Sequence, residues 1–174
     1  SDEQYDSREF TYASDLMQFL KANTNLHFGG GCYPEKHFEC FSMESDLNHL
    51  RLKQDAGAEF FISQLFFDND FYYSFLEKAA KKGITVPILA GIMPITNASN
   101  LIRFADGTGA EIPRWIRKQL ATYGDDTASI KAFGHEVVVK FCERLLAGGA
   151  PSLHFYTMNT TDPTRQLVKD LGLA

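Results

Sequence analysis

Features that mark several other protein classes are missing from this sequence. Its three cysteines form no C-x-x-C pair, which argues against a disulfide framework and predicts a reducing, cytoplasmic location. The formal net charge of -5 gives no electrostatic attraction to nucleic acid or to an anionic membrane. No apolar run approaches the roughly 20 residues that a membrane-spanning helix requires. We therefore expect a globular domain, and 174 residues provide enough material for a substantial core.

A metal site also lacks support. Cys32, His37 and Cys40 lie close together in the sequence, and each side chain is able to bind a metal ion. Their spacing matches no standard zinc pattern, and a fourth ligand is missing. We predict no metal site.

Four short apolar or aromatic segments predict buried strands. They span residues 25–33, 59–67, 85–93 and 152–159. None alternates strictly, which favours parallel strands covered on both faces. Helical patterns separate them, and repeated βα units of this kind predict an open doubly wound sheet or a (β/α)8 TIM barrel. A complete barrel usually needs about 250 residues, so this α/β chain would supply four βα units, or half a barrel.

The stretch FGGGCYPEKHFE, residues 28–39, contains three consecutive glycines at the end of the first predicted strand. A dinucleotide-binding loop would read G-x-G-x-x-G, and a P-loop would continue with Lys-Ser/Thr; neither pattern is present. Two interpretations stay open. The missing side chains let a planar ligand approach the strand, or the interior of a barrel requires small residues there.

Two further polar features stand out. Asp46, His49 and Lys53 are spaced to share one helix face, which we expect opposite the apolar stripe of that helix. That face is either simply solvated or it binds a long cofactor, with Lys53 meeting a phosphate and Asp46 a hydroxyl. Gln64 interrupts the most apolar strand, where a buried amide needs hydrogen-bond partners. It is either a core residue or a group that binds a planar heterocycle.

Eight motifs in order resemble the methylenetetrahydrofolate reductase family, and the resemblance covers essentially the whole chain. Any one motif alone would be weak, but their number and order make the resemblance specific. They are YASDL (12–16), YPEKH (33–37), DLNHLRLKQDAGA (46–58), SQLFFD (63–68), GIMPITN (91–97), RFAD (103–106), IPRW (112–115) and HFYTMN (154–159).

The resemblance implies a (β/α)8 barrel that binds FAD and acts in one-carbon metabolism and methionine biosynthesis. NAD(P)H reduces the flavin and leaves, and 5,10-methylenetetrahydrofolate then occupies the same face and is reduced to 5-methyltetrahydrofolate. Gln64 matches a glutamine that binds the pterin ring, Asn100 falls at a substrate contact, and Phe104 falls where a side chain packs against the stacked ligands. The implied FAD contacts are Tyr12, Tyr33, His37, Asp46, His49 and Lys53.

Four positions depart from the family pattern or compensate for a departure. His49 stands where the family often has Asn, and Asn100 where many members have Gln. Thr160 falls where an arginine near the folate is common, and Arg165, further along, is a candidate substitute. These differences bear on folate affinity or tail preference and leave the family unchanged.

The resemblance also implies that the catalytic glutamate, the general acid, and an acidic flavin contact precede YASDL. We therefore expect no catalytic residue in this chain. Residues 1–174 would be one domain, the C-terminal half of the barrel, which starts inside a longer protein and is inactive alone. Its exposed sheet edges predict a homo-oligomer. The alternatives are a non-catalytic half-barrel scaffold and another FAD-dependent barrel oxidoreductase, similar to proline dehydrogenase.

Overall fold

A computed structural model describes residues 10–174, in which helices and strands alternate along the chain. The helices are α1 (Ala13–Asn23), α2 (Met43–Asp55), α3 (Asn69–Lys81), α4 (Ala98–Thr108), α5 (Arg114–Tyr123), α6 (Thr127–Ala147) and α7 (Asp162–Asp170). The strands are β1 (Gly30–Cys32), β2 (Phe61–Ser63), β3 (Ile88–Ile92) and β4 (Leu153–Phe155). The four predicted βα units are thus confirmed.

The four strands form one parallel sheet in the order β1-β2-β3-β4. An open doubly wound sheet reverses its strand order at a switch point, and this sheet does not. Because parallel crossovers are right-handed, a constant direction places the helices on one face of the sheet. That arrangement is the TIM-barrel type. Within residues 10–174, β1 pairs only with β2 and β4 only with β3, so each leaves one edge unpaired.

The paired strands are shorter than the predicted segments, and this part of the prediction is wrong. Each of β1, β2 and β4 has three residues, and β3 has five. The apolar residues beyond them remain in the core without pairing: Phe66 and Phe67 follow β2 and are buried. Phe66 stacks on Tyr72 of α3 with ring centroids 5.2 Å apart. Packing of a helix against the strand ends, rather than sheet pairing, accounts for that apolar run.

The carboxyl ends of β2, β3 and β4 are tied together at the buried Ser63. Its hydroxyl accepts a hydrogen bond from the backbone N–H of Gly91 at 2.8 Å, and the Tyr156 hydroxyl donates to its carbonyl oxygen at 2.8 Å. A Cβ on Gly91 would lie 2.1 Å from that carbonyl oxygen, so only glycine permits this approach. The strand ends, where a parallel α/β protein binds its ligands, are therefore held firmly.

Three general properties complete the fold. Among residues 10–174, every helix is too short or too polar to cross a lipid bilayer. In the same described range, no three His, Cys, Asp or Glu side chains are grouped to hold a metal ion. The thiols of Cys32, Cys40 and Cys142 are free, and burial raises the pKa of Cys142 to about 12. Neutral buried thiols of this kind are packing residues.

Candidate functional site

A cavity of about 480 Å³ opens between α1, α2 and the loop that follows β1. We call it the α1–α2 cavity. Its wall consists of Tyr12, Ala13, Ser14, Tyr33, His37, Glu39, Cys40, Asp46, His49, Leu52 and Lys53. All six residues predicted to contact FAD lie in this wall, although they come from three separate segments of the chain.

Asp46 is the buried anchor of this cavity. Only 9% of it is exposed, so the interpretation of a simply solvated face does not hold at this position. The loop after β1 folds back over the first turn of α2 and covers the carboxylate. Its Oδ2 accepts a hydrogen bond from the His37 backbone N–H at 2.8 Å, and its Oδ1 lies 3.7 Å from Cys40 Sγ. Desolvation and this carboxylate raise the pKa of the Cys40 thiol.

The loop between β1 and α2 is held in shape by its own side chains. Lys36 has a left-handed backbone with φ of 78°, which is uncommon outside glycine. Its ammonium group donates to the carbonyl oxygens of His37 at 2.7 Å and Cys40 at 2.5 Å. The Tyr33 ring meets the His37 ring edge-on, with centroids 4.5 Å apart. Burial and the nearby Asp46 carboxylate raise the pKa of Tyr33, so its phenol stays a neutral donor.

The glycine run divides between the two interpretations left open by the sequence. A Cβ on Gly29 would lie 2.4 Å from the Phe60 ring, and one on Gly30 would lie 3.0 Å from Met17 Cε, so both positions need small residues for packing. Gly31 is exposed, and a Cβ there would have its nearest neighbour, the Tyr33 hydroxyl, at 4.0 Å. Only Gly31 therefore leaves open surface, and its carbonyl oxygen accepts a hydrogen bond from Lys53 Nζ at 2.9 Å.

Gln64 lies one residue beyond β2, not within a strand as predicted, and is half-buried. Its backbone N–H donates to the Cys32 carbonyl oxygen at 2.7 Å, which fixes its Cα beside β1. Among the described residues, its side-chain oxygen accepts only from the next backbone N–H, that of Leu65, at 2.9 Å. Within residues 10–174 the side-chain NH2 donates no hydrogen bond, so it is available to a ligand.

Asn100 and Phe104 lie on one side of α4, the helix that follows β3. Asn100 is exposed and Phe104 is half-buried. Between them in space lies a residue that sequence reasoning missed, Arg103, whose guanidinium carbon is 5.1 Å from the centre of the Phe104 ring. Its Nη2 donates to Asn100 Oδ1 at 3.4 Å. The spacing i, i+3, i+4 was the available signal. We refer to Gln64, Asn100 and Phe104 as the β2–α4 group.

Thr160 lies elsewhere, in the wall of a cavity of about 750 Å³ between α6 and α7. Lys131 and His135 of α6 belong to the same wall, and Arg165 does not. Arg165 is well exposed and its Nη2 lies 3.6 Å from Asp162 Oδ1. In this arrangement Arg165 is paired within its own helix, and Lys131 is the cation that shares a cavity with Thr160.

Glu35, in the YPEKH motif, is a second residue that sequence reasoning missed. Its Oε2 accepts a hydrogen bond from the Glu111 backbone N–H at 2.8 Å, and its Oε1 is buried without a partner in the described residues. Burial raises its pKa to about 7, and the Glu111 and Asp68 carboxylates act in the same direction. Glu35 thereby connects the loop after β1 to the segment between α4 and α5, across 76 positions of sequence. No local pattern reveals such a partner.

A parallel α/β sheet with barrel-type order and polar side chains at its strand ends defines a barrel-type ligand-binding protein. More specifically, the chain belongs to the methylenetetrahydrofolate reductase family, whose model matches residues 1–172. It is 36% identical over 166 residues to methylenetetrahydrofolate reductase 1 of Schizosaccharomyces pombe, covering 94% of this chain and 28% of that protein. It is 35% identical over 162 residues to the 5,10-methylenetetrahydrofolate reductase of Escherichia coli K12, covering 93% and 55%. The chain thus spans between about a quarter and about half of these relatives.

One solved structure supports the fold. It is an uncharacterized protein from Clostridium thermocellum, described as binding two copies of 5-methyl-5,6,7,8-tetrahydrofolic acid. The TM-score is 0.59 at 20% sequence identity, and the match covers 91% of this chain and 58% of the other.

Proposed function

We propose that this chain is part of a 5,10-methylenetetrahydrofolate reductase, in which FAD relays a hydride from NAD(P)H to 5,10-methylenetetrahydrofolate and 5-methyltetrahydrofolate is formed. The observation that carries the proposal is the gathering of Tyr12, Tyr33, His37, Asp46, His49 and Lys53 around one cavity. Family membership over nearly the whole chain supports the same reaction.

The chemistry of the α1–α2 cavity fits a flavin dinucleotide. Lys53 supplies an ammonium group for the diphosphate, and Asp46 supplies a carboxylate that accepts from sugar or ribityl hydroxyls. Tyr33 and His37 provide an aromatic wall with a neutral phenol donor. When bound, FAD supplies the hydride relay, while these residues bind and orient it.

The β2–α4 group fits the folate. The NH2 group of Gln64 has no partner in the described chain and would donate to the pterin, whose ring carries amide-type acceptors. Phe104 offers an apolar surface on which a flat ring packs. The fold neighbour from Clostridium thermocellum, described as binding 5-methyl-5,6,7,8-tetrahydrofolic acid, supports a folate ligand on this fold.

We also propose that the described sheet is half of a barrel and that the general acid lies outside these residues. The unpaired edges of β1 and β4 support this, because exposed parallel edges require further strands or a second copy. Residues 1–174 expressed alone should therefore associate and show no reductase activity. A folded, monodisperse monomer in light scattering would contradict this part of the proposal. The free buried thiols of Cys32 and Cys142 agree with a reducing, cytoplasmic compartment.

The test uses protein expressed from the complete reading frame that contains this chain. It should be purified yellow, lose its flavin absorbance when NAD(P)H is added without oxygen, and regain it on addition of methylenetetrahydrofolate. A colourless protein would favour a scaffold. A flavin that methylenetetrahydrofolate fails to reoxidise would favour an oxidoreductase with another substrate.

A further inference from the structure

Arg103 is a cation placed directly between two members of the β2–α4 group. Its guanidinium carbon lies 5.1 Å from the centre of the Phe104 ring, and its Nη2 donates to Asn100 Oδ1 at 3.4 Å. The aromatic contact orients the flat guanidinium group, since cations favour the face of such a ring. The head group of Arg103 is therefore held beside Asn100 and Phe104, although the residue is exposed.

The charge of Arg103 is not neutralised by any carboxylate of residues 10–174. In the part of the chain that the structure describes, no carboxylate lies within 4.0 Å of its guanidinium nitrogens. The acidic residue one turn away, Asp106, is 4.0 Å from Arg117 instead. Among residues 10–174 its one hydrogen-bond acceptor is a neutral amide oxygen at a long distance, which an incoming carboxylate would replace.

We infer that Arg103 is a specificity-determining residue that binds a carboxylate of the glutamate tail of the folate. This rests on the proposed function. A folate joins a pterin to an aminobenzoyl ring and then to glutamate, so its two ends have different requirements. Gln64 meets the pterin, Phe104 packs against a ring, and Arg103 supplies the planar pair of N–H donors that carboxylates prefer.

The test compares two substrates with and without the arginine in protein from the complete reading frame. Arg103→Ala should raise KM for methylenetetrahydrofolate about 3- to 10-fold and leave kcat within about twofold, as expected for loss of a charge-assisted hydrogen bond at an exposed site. With methylenetetrahydropteroate, which lacks the glutamate, wild type and Arg103→Ala should have equal KM. Arg103→Lys should fall between the two, because it keeps the charge and loses the planar pair of donors.

Arg144→Ala is the matched control, since it removes the same charge from an exposed helix position on α6 and should leave both KM values unchanged. Equal effects of Arg103→Ala on both substrates would overturn the inference, because they would indicate a structural role. So would a tail-dependent effect of Arg144→Ala without one of Arg103→Ala. If Gln64→Ala impairs folate turnover and Arg103→Ala does not, only the inference fails. If the wild-type protein neither binds nor reduces folate, both the proposed function and the inference about Arg103 fail.

Discussion

The α1–α2 cavity and the β2–α4 group use polar side chains in opposite ways. In the cavity, Asp46 already accepts from the His37 N–H at 2.8 Å and Lys53 already donates to Gly31 at 2.9 Å. In the β2–α4 group, Gln64 and Asn100 bond only with near neighbours in sequence, and the NH2 of Gln64 has no partner in the described residues. Preorganised polar groups suit a cofactor that stays bound, because little ordering remains to be done on binding. Polar groups without a hydrogen-bond partner suit a substrate that binds and leaves in each turnover.

The openness of the β2–α4 group does not reflect a loose fold beneath it. The strand ends below are joined at Ser63, which bonds to Gly91 and Tyr156 at 2.8 Å each. The comparison is therefore between two kinds of surface on one rigid sheet. The variants below change the sheet, the α1–α2 cavity or the β2–α4 group.

The largest effect is expected from Gly91→Ala, which attacks the shared base of both regions. The new Cβ would lie 2.1 Å from the Ser63 carbonyl oxygen, a backbone atom that cannot move without separating β2 from β3. We expect a loss of about 3 kcal/mol in the free energy of unfolding, the upper range for overpacking. Urea denaturation of each variant measures it.

Gly31→Ala is the control for that variant. Its Cβ would meet nothing closer than the Tyr33 hydroxyl at 4.0 Å. The unfolding free energy should change by less than about 1 kcal/mol, the full range of strand propensities. If both variants lost the same unfolding free energy, the close backbone contact at Gly91 would not be what destabilises Gly91→Ala.

Asp46→Ala breaks the preorganised side of the comparison. It removes the acceptor for the His37 N–H and uncovers the loop that carries Tyr33 and His37. We expect flavin affinity to fall by about 2 kcal/mol, or roughly 30-fold, as for loss of a buried charged acceptor. Quenching of FAD fluorescence during titration measures the change. Asp55→Ala, on the exposed end of α2 and paired with Arg51, should bind FAD like the wild type; a similar loss there would remove the special role of Asp46.

Gln64→Ala breaks the open side. Because the side chain hydrogen-bonds only with the next backbone N–H within residues 10–174, the unfolding free energy should change by less than about 0.5 kcal/mol. The KM for methylenetetrahydrofolate should rise about tenfold, since a site group that bonds the pterin is lost. FAD affinity should stay within about twofold of wild type. Gln166→Ala, an exposed amide on α7, is the control. Unchanged folate kinetics in Gln64→Ala would contradict the assignment.

Sequence reasoning reached the βα order of this fold because each unit carries its own local signal. The helices have apolar positions at helical spacing, and in α3 these become the buried Tyr72, Phe75 and Ala79. The residues at which each strand begins and ends could not be predicted from such local patterns. Residues such as Phe66 are apolar because they pack under α3, and hydropathy does not distinguish that environment from a paired strand.

In the candidate site, too, the features that local motifs indicate were predicted, and those that depend on tertiary packing were not. The motifs that placed Tyr33, His37 and Lys53 on one ligand are local, and these residues do meet in the α1–α2 cavity. The burial of Asp46 depends on how the loop after β1 folds back, which the pattern of α2 alone does not contain. Glu35 meets a backbone N–H 76 positions away, so only the assembled fold reveals it.

Glu35→Gln should produce the smallest effect, and it tests the cost of the buried carboxylate in the loop that forms the α1–α2 cavity. The pKa of Glu35 is raised from 4.5 to about 7, so the folded protein holds this proton more tightly than the unfolded chain. Its contribution to stability is therefore greatest below pH 4.5 and is lost as pH rises to about 7. Because the side chain is only half-buried, solvent screening limits the loss to about 1 kcal/mol.

Gln at position 35 keeps an acceptor for the Glu111 N–H and carries no charge. Between pH 5 and pH 8, Glu35→Gln should thus gain about 1 kcal/mol in unfolding free energy relative to wild type, measured by urea denaturation. Glu39→Gln, exposed on the same loop, should run parallel to wild type. Parallel curves for Glu35→Gln as well would show that the buried oxygen finds a partner in solution.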